Sequence, residues 1–243
     1  MANIIFTNKC NISCPFCFAS ENNVKNENSE TKAFNIEQVW RANNFLSTNS
    51  DFRFCGGEPT QNPEIISAIS LLLASKRRIF IMSNGIWPDD FLSYIANLPP
   101  KFETKISYLF NILHSKFYKG KDWEQIHKTL KIANPCNTTL GVTIYNQNFN
   151  FEYIIELAEL YNIKRIRWSI AAPNLSKKGK DIDEYFPELS GQIAKFIKSA
   201  VQKGITVTND CGYIPLCHFS KEQLSYLLQL PSISIKTNCE GRR

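Results

Sequence analysis

The sequence lacks a long hydrophobic run. Its longest apolar stretches, Ile66 to Ala74 and Ile106 to Leu113, are interrupted or far shorter than the roughly 20 residues that a membrane-spanning helix needs. No apolar run of the signal-peptide type follows Met1. These absences exclude a membrane-spanning protein, and we expect a cytoplasmic protein with no membrane partner.

A large excess of charge of one sign is also missing. The 28 Lys and Arg residues are nearly balanced by 22 Asp and Glu residues, and the net charge of +6 is dispersed along the chain. We therefore predict no nucleic-acid partner.

Hydrophobic residues make up 43% of the chain and charged residues 21%, which is ordinary for a globular protein and excludes wholesale disorder. With 243 residues, the chain can form one substantial core and a smaller appendage.

Histidine is scarce, whereas cysteine is not. The chain has three histidines, none of them before residue 114, and eight cysteines. A reducing cytoplasm disfavours structural disulfides, so cysteines in such a protein indicate metal or redox chemistry. Their spacing then decides what they bind.

Short β-rich runs alternate with longer stretches of helical periodicity, which predicts parallel strands joined by helices. Six such units predict an α/β fold, a partial (β/α)6 TIM barrel over residues 1–204, with functional side chains just after the strands. Residues 205–243 are predicted to form a short C-terminal extension that bears cysteines. The predicted strands are 3–7, 52–55, 79–82, 105–110, 139–145 and 165–170. The predicted helices are 36–48, 63–75, 88–97, 121–133, 150–161, 182–203 and, in the extension, 220–229.

Three cysteines follow the first predicted strand on one loop. Cys10, Cys14 and Cys17 have the spacing C-x3-C-x2-C. Thiolates select zinc or iron–sulfur clusters, but a structural zinc site needs a fourth ligand close by, and the loop supplies none. A cubane cluster held by three cysteines keeps one iron open to an outside ligand, as a reactive site requires.

The loop, with Phe16 just before its third cysteine, resembles the cluster-binding signature of radical S-adenosylmethionine (radical SAM) enzymes. The segment Gly56-Gly57-Glu58-Pro59-Thr60, after the second strand, is similar to the GGEPT motif of the same superfamily. The resemblance implies a 4Fe-4S cluster on Cys10, Cys14 and Cys17, S-adenosyl-L-methionine (SAM) as cofactor, and an electron donor such as flavodoxin or ferredoxin. It also implies that an electron from the cluster splits a carbon–sulfur bond of SAM, and that the resulting 5′-deoxyadenosyl radical abstracts a hydrogen atom.

The resemblance further implies that residues at the strand ends hold SAM. Glycines without Cβ atoms allow backbone carbonyls to approach the methionyl amino group. Ser83, Asn111, Asn146 and Ser169 follow or end strands, and an ordinary strand-end role is the alternative for each. The candidate cofactor-binding residues are Phe16, Gly56, Gly57, Glu58, Ser83, Asn111, Asn146 and Ser169.

A second group of cysteines lies in the extension. Cys211, Cys217 and Cys239 resemble the start of the auxiliary iron–sulfur regions of SPASM and twitch type that follow the barrel in radical SAM peptide maturases. Full regions of this type carry more cysteines downstream, so we expect a shortened region or a truncated chain. The fourth ligand of an auxiliary cluster could be His218, Asp210, a substrate atom or none. A zinc site that uses His218 and a set of unligated thiols are the alternatives.

The auxiliary-type pattern favours a peptide or protein substrate, as in the maturation of ribosomally made peptides by cross-linking, epimerisation or oxidation. The alternatives are an enzyme that acts on a small metabolite or nucleoside, a glycyl-radical activase, and a non-catalytic iron–sulfur or zinc scaffold. Candidates for a catalytic proton transfer are Tyr213, Asp210 and His114.

Overall fold

The structure of the protein is a computed structural model that describes residues 2–17, 34–145, 149–171, 182–210 and 216–227. The chain divides into two compact units, Met1–Thr139 and Leu140–Arg243. Each unit consists of parallel strands and helices that alternate along the chain. The predicted α/β class is therefore confirmed in both units.

The first unit contains four parallel strands in chain order, with β1 beside β2, β2 beside β3 and β3 beside β4. Its strands are β1 (Ala2–Thr7), β2 (Phe52–Gly56), β3 (Ile79–Ser83) and β4 (Ile106–Asn111). Its helices are α1 (Ile36–Phe45), α2 (Ile65–Ala74), α3 (Asp89–Ala96), α4 (Pro100–Glu103) and α5 (Asp122–Ile132).

Alternation along the strands explains this sheet. Alternate residues of β1 and β2, such as Phe6, Phe52 and Phe54, are completely buried, whereas Ile5 points the other way and is exposed. The rings of Phe6 and Phe54 pack 4.8 Å apart. Because side chains on a strand point to opposite faces in turn, this pattern places one face of the sheet in the core.

Helix α1 begins as its sequence predicts and ends earlier. Asn35 and Gln38 form a capping box, with each side chain accepting a hydrogen bond from the backbone N–H of the other residue. The helix ends at Phe45 rather than at residue 48, because the backbone of Leu46 is extended, and the buried guanidinium of Arg77 lies at this end of the helix. It donates to the carbonyl oxygens of Asn43, Leu46 and Ser47.

The second unit contains three parallel strands, in the order β5, β6, β7. Its elements are β5 (Thr138–Ile144), α6 (Glu152–Leu160), β6 (Arg165–Ile170), α7 (Ile182–Gln202), β7 (Thr206–Asn209) and α8 (Lys221–Leu227). All six predicted strands are thus present among the described residues, with bounds that differ by at most one residue.

Strand β7 is not among the predicted strands, and it lies at the start of the predicted C-terminal extension, residues 205–243. Val207 lies opposite Ile166 of β6, and both are completely buried. The N–H of Thr206 donates to the carbonyl of Lys164 at 2.8 Å. A four-residue run carries little sequence signal, and the pairing with β6 makes it a strand. The boundary at residues 204 and 205 between barrel and extension stays a prediction.

Among the helices that the structure describes, none has both the length and the apolar character needed to cross a bilayer.

Candidate functional site

Three neighbouring strands of the first unit end at the same edge of its sheet. After β1 comes the cysteine loop, defined here as residues 8–17; after β2 comes the GGEPT segment, residues 56–60; and after β3 come Ser83 and Asn84. Because the strands are parallel neighbours, their carboxyl ends lie side by side. This edge is where ligands bind in sheets of this class.

The two glycines of the GGEPT segment allow this segment to lie directly against the start of the cysteine loop. The N–H of Gly57 donates to the carbonyl of Thr7 at 2.7 Å, and the N–H of Glu58 donates to the carbonyl of Lys9 at 2.8 Å. A Cβ atom on Gly56 would lie 2.4 Å from the Thr7 oxygen, and one on Gly57 would lie 2.2 Å from the Lys9 oxygen. Both are closer than real Cβ contacts allow, so these positions require glycine.

The pairing of β1 with β2 is irregular at the same point. Its register shifts between Ile5 and Thr7, and Gly56, opposite Thr7, has a φ of +124°, which favours glycine. The close approach seen here is therefore between two segments of the chain, rather than the approach to a ligand that the sequence suggested. Contact of Gly56 and Gly57 with SAM stays a prediction.

Glu58 is completely buried at the centre of this edge. One of its carboxylate oxygens accepts from the Thr60 N–H at 3.2 Å and the Thr60 hydroxyl at 2.7 Å, and the other accepts from the Asn84 N–H at 2.7 Å. The Ser83 hydroxyl lies 2.9 and 3.0 Å from the two oxygens. Burial raises the pKa of Glu58, and these hydrogen bonds lower it by less. The carboxylate predicted to bind SAM thus joins the turns after β2 and β3.

The hydroxyl of Ser83 also forms all of its described hydrogen bonds within the chain. It donates to Glu58 and accepts from the Gly85 N–H at 3.0 Å and from the indole N–H of Trp87 at 2.9 Å. A hydroxyl has one hydrogen to donate and two lone pairs to accept with. The hydrogen-bonding capacity of this buried side chain is therefore fully used, and a role of Ser83 in SAM binding stays a prediction.

Asn84 is the residue that sequence reasoning missed. Its side-chain nitrogen donates to Oδ1 of Asn11 at 2.7 Å and lies 3.8 Å from Sγ of Cys10, within hydrogen-bond range for sulfur. Its oxygen accepts from the N–H of Ile86 at 2.9 Å, and the Asn11 side chain donates to the carbonyl of Ile86 at 3.0 Å. Its sequence signal was its place in Ser83-Asn84-Gly85, which resembles the third-strand turn of radical SAM enzymes, but asparagine is also an ordinary turn residue there.

The three thiols of the cysteine loop are half-buried and close enough to influence one another. Burial raises the pKa of Cys10, and burial together with the neighbouring Cys10 and Cys17 thiolates raises the pKa of Cys14 to about 12. Mutual repulsion and desolvation disfavour three thiolates here unless a cationic centre binds them. The donor set therefore fits an iron–sulfur cluster.

Among the residues that the structure describes, no three Cys, His, Asp or Glu side chains converge on a single point suitable for one metal ion. Such convergence is what a mononuclear site requires. The cysteines of a cubane each bind a different iron atom, so their sulfurs stand further apart than the ligands of one ion.

The remaining candidates lie in the cysteine loop and near the ends of other strands. Phe16 is half-buried in the cysteine loop, and Asn111 is exposed at the end of β4. In the second unit, the hydroxyl of Ser169 lies 3.2 Å from that of Thr143. The ring nitrogen Nδ1 of His114 accepts from the Lys116 N–H at 3.3 Å. Asn146 lies outside the described residues. The roles of these residues stay predictions.

The second group of cysteines is only partly described. Cys217 is exposed in a 3-10 turn, Leu216–His218, whereas Cys211, Tyr213 and Cys239 lie outside the described residues. Asp210 forms an ion pair with Arg167, and its N–H donates to the carbonyl of Trp168 at 2.9 Å. The backbone carbonyl of His218 accepts from the Ser190 hydroxyl at 2.6 Å. The assignment of metal ligands in this region stays a prediction.

Comparison with solved structures confirms the fold. Streptococcus suis SuiB bound to S-adenosylmethionine superposes with a TM-score of 0.59 at 15% identity, covering 87% of this chain and 50% of that chain. A second SuiB structure, bound to the precursor peptide SuiA, has a TM-score of 0.57 at 16% identity and covers 86% and 48%. The chain thus spans about half the length of SuiB.

Two other structures are also similar. Native anSMEcpe with bound AdoMet has a TM-score of 0.59 at 14% identity and covers 84% of this chain and 63% of that chain. TYW1 with a lysine-pyruvate adduct bound has a TM-score of 0.53 at 17% identity and covers 82% and 71%. At these identities the likeness concerns the fold alone. No curated protein sequence matched the chain.

A sequence model of a protein family assigns the chain to a superfamily, which the likeness of fold alone does not. The model of the Radical SAM superfamily matches residues 4–161, more than half of the 243 residues. This match contains the whole C-x3-C-x2-C pattern, the GGEPT segment, and the Glu58 and Asn84 contacts that join the turns after β2 and β3. The chain therefore belongs to the radical SAM superfamily.

Proposed function

We propose that this chain is a radical SAM enzyme that cleaves SAM reductively and abstracts a hydrogen atom from a peptide or protein substrate. The observation that carries the first part is the cysteine loop itself. Its three thiols lie together at the carboxyl edge of the sheet, directly against the GGEPT segment and the turn after β3.

In this proposal Cys10, Cys14 and Cys17 hold a 4Fe-4S cluster. Such a cluster, when bound and reduced, would supply the electron for reductive cleavage of a carbon–sulfur bond of SAM to methionine and a 5′-deoxyadenosyl radical. The chain's own contribution is to fix the site before the reaction. The N–H of Gly57 holds the last residue of β1, the N–H of Glu58 holds the start of the cysteine loop, and Asn84 holds the loop further along.

The proposed substrate class rests on two lines of support. One is the pattern of Cys211, Cys217 and Cys239, which resembles the auxiliary-cluster region of peptide maturases. The other is the likeness to SuiB, one of whose structures contains a precursor peptide. The proposed reaction is a cross-link, an epimerisation or an oxidation of a ribosomally made peptide, with electrons from a flavodoxin or ferredoxin.

The cleavage step is tested by replacing Cys10, Cys14 and Cys17 together with Ala. We expect the reconstituted wild-type protein, given SAM and a strong reductant under anaerobic conditions, to release 5′-deoxyadenosine, and the triple variant to release none. Cys136→Ala is the control, because Cys136 is exposed in the turn Pro135–Asn137 and is not part of the cysteine loop. Release of 5′-deoxyadenosine by the triple variant would contradict the assignment of the cluster.

The second cluster is tested by counting iron and sulfide. Two cubanes predict about eight irons per chain, falling to about four in the variant that lacks Cys10, Cys14 and Cys17. About four irons falling to none would instead favour the small-metabolite or activase alternatives. If the second cluster serves the substrate step, replacing Cys211, Cys217 and Cys239 with Ala leaves cofactor cleavage but removes product.

The substrate class is tested directly with a precursor peptide encoded beside the gene for this protein. Incubation with the reconstituted enzyme, SAM and reductant should change the peptide mass or its stereochemistry. Cofactor cleavage that is unaffected by such peptides but stimulated by a small metabolite would overturn the peptide assignment.

A further inference from the structure

The side chain of Asn84 connects the turn after β3 to two residues of the cysteine loop. Its nitrogen has two hydrogens, and the two acceptors within reach are Oδ1 of Asn11 at 2.7 Å and Sγ of Cys10 at 3.8 Å. An amide nitrogen donates two hydrogen bonds, so this geometry uses both. Asn84 is also only 8% exposed, so water does not readily replace these partners.

Asn84 is itself held in place from both sides. Its backbone N–H donates to the buried carboxylate of Glu58 at 2.7 Å. Its side-chain oxygen accepts from the N–H of Ile86 two residues later, which is an Asx turn and fixes which way the amide faces. The nitrogen therefore points at the cysteine loop because the oxygen is committed to the turn.

From this geometry we propose that Asn84 is a positioning residue for the cluster: it holds the cysteine loop in its binding conformation and donates a hydrogen bond to the Cys10 sulfur. The inference rests on the proposed cluster at Cys10, Cys14 and Cys17. Partners that orient metal ligands in this way commonly affect metal retention, and hydrogen bonds to cysteine sulfur tune cluster potentials.

The direction of the effect on the potential follows from electrostatics. An N–H dipole with its positive end at the sulfur stabilises the reduced, more negative cluster more than the oxidised one. Loss of this hydrogen bond therefore makes reduction harder and moves the midpoint potential to a more negative value. The structure thus assigns Asn84 a part in making the cluster reducible.

The test compares two variants that separate the two roles of Asn84, which are holding the cysteine loop and donating a hydrogen bond to the Cys10 sulfur. Asn84→Ser keeps the local turn, since a serine hydroxyl can also accept from the N–H two residues later, but it cannot reach Cys10. Asn11→Ala removes the other anchor of the loop and leaves the Asn84 nitrogen beside Cys10. Cluster retention is measured as the rate of iron loss to a chelator, and the potential by a redox titration followed by electron paramagnetic resonance.

We expect Asn84→Ser to lose iron about 10-fold faster than wild type and to have a more negative midpoint potential. Asn11→Ala should lose iron faster as well, with the potential of the wild type. If Asn84→Ser does not fold, as judged by circular dichroism of the cluster-free protein, Asn84→Asp replaces it. That variant keeps the size and the turn and loses the donor. Because its carboxylate lowers the potential by its charge alone, it is judged by the rate of iron loss, which should exceed that of wild type, and a wild-type rate would overturn the positioning role.

An Asn84→Ser variant with the wild-type rate of iron loss and the wild-type potential would overturn the inference. A faster loss without any change in potential would overturn the hydrogen bond to sulfur. A wild-type protein that binds no iron after reconstitution would instead refute the proposed function, and the inference with it. The two failures are distinguished by the iron content of the wild type alone.

Discussion

Replacing Glu58 with Gln changes one atom at the centre of the site and tests whether its carboxylate holds the edge together. All of the described hydrogen-bond partners of Glu58 are donors: the N–H and hydroxyl of Thr60, the hydroxyl of Ser83 and the N–H of Asn84. In Glu58→Gln one of the two acceptor oxygens becomes an NH2 group, which would face a donor.

The size of the expected loss in stability depends on which neighbouring groups can still form hydrogen bonds with Gln. Ser83 already accepts two hydrogen bonds, from Gly85 and Trp87, so its hydroxyl must continue to donate. In either orientation of the introduced side-chain amide, the backbone N–H of Thr60 or of Asn84 loses its acceptor. A buried donor without an acceptor costs about 1–3 kcal/mol. Removal of a buried charge offsets a part of this, and we expect a net loss of about 1–2 kcal/mol in the free energy of unfolding.

The assay is urea unfolding of the cluster-free, reduced protein, followed by circular dichroism, with a thermal melt as a second measure. A loss of about 1–2 kcal/mol corresponds to a decrease of about 2–8 °C in Tm for a chain of this size. Glu37→Gln is the matched control, because Glu37 is exposed and pairs with Arg41 one turn away. The free energy of unfolding of Glu37→Gln should fall by less than about 0.5 kcal/mol.

The dependence on pH gives a second check. Because burial raises the pKa of Glu58 in the folded protein, its contribution to stability is fully present below the carboxyl's ordinary pKa and is lost as the pH rises through the raised value. Gln does not titrate, so the difference between wild type and variant should narrow as the pH rises. A Glu58→Gln variant as stable as wild type, or a difference that widens with pH, would refute this reasoning.

Two further substitutions test how the site and its neighbouring helix are held. Gly57→Ala should lower the free energy of unfolding by about 1–3 kcal/mol and reduce the iron bound after reconstitution, since its Cβ would lie 2.2 Å from the Lys9 oxygen. The control is Gly191→Ala, whose Cβ would meet only the end of the Gln223 side chain, at 4.0 Å, and equal iron content in the two variants would contradict the role of the Gly57 contact. Arg77→Ala should cost about 2–3 kcal/mol in urea unfolding because three carbonyl groups near the end of α1 lose a charged donor. The exposed Arg78, which pairs with Asp51, is its control, and Arg78→Ala should cost less than about 1 kcal/mol; similar losses for the two arginines would argue against the buried network.

The parts of the fold that depend on local sequence patterns could be predicted from the sequence. The six predicted strands are continuous or alternating apolar runs, and such runs depend on the residues themselves more than on their partners. The predicted start of the first helix at residue 36 is equally local, and the capping box of Asn35 and Gln38 accounts for it. Strand β7 was not predicted as a strand, because Thr206–Asn209 acquires its role only by pairing with β6.

The chemistry predicted for the site follows from short, contiguous patterns, namely the spacing of Cys10, Cys14 and Cys17 and the GGEPT segment. How these parts are held depends on contacts between distant segments of the fold. Asn84 and Asn11 are 73 residues apart, and Glu58 and Ser83 are 25 apart, so no local pattern pairs them. They meet because parallel pairing brings the ends of β1, β2 and β3 to one edge, where buried polar groups must find hydrogen-bond partners in neighbouring turns.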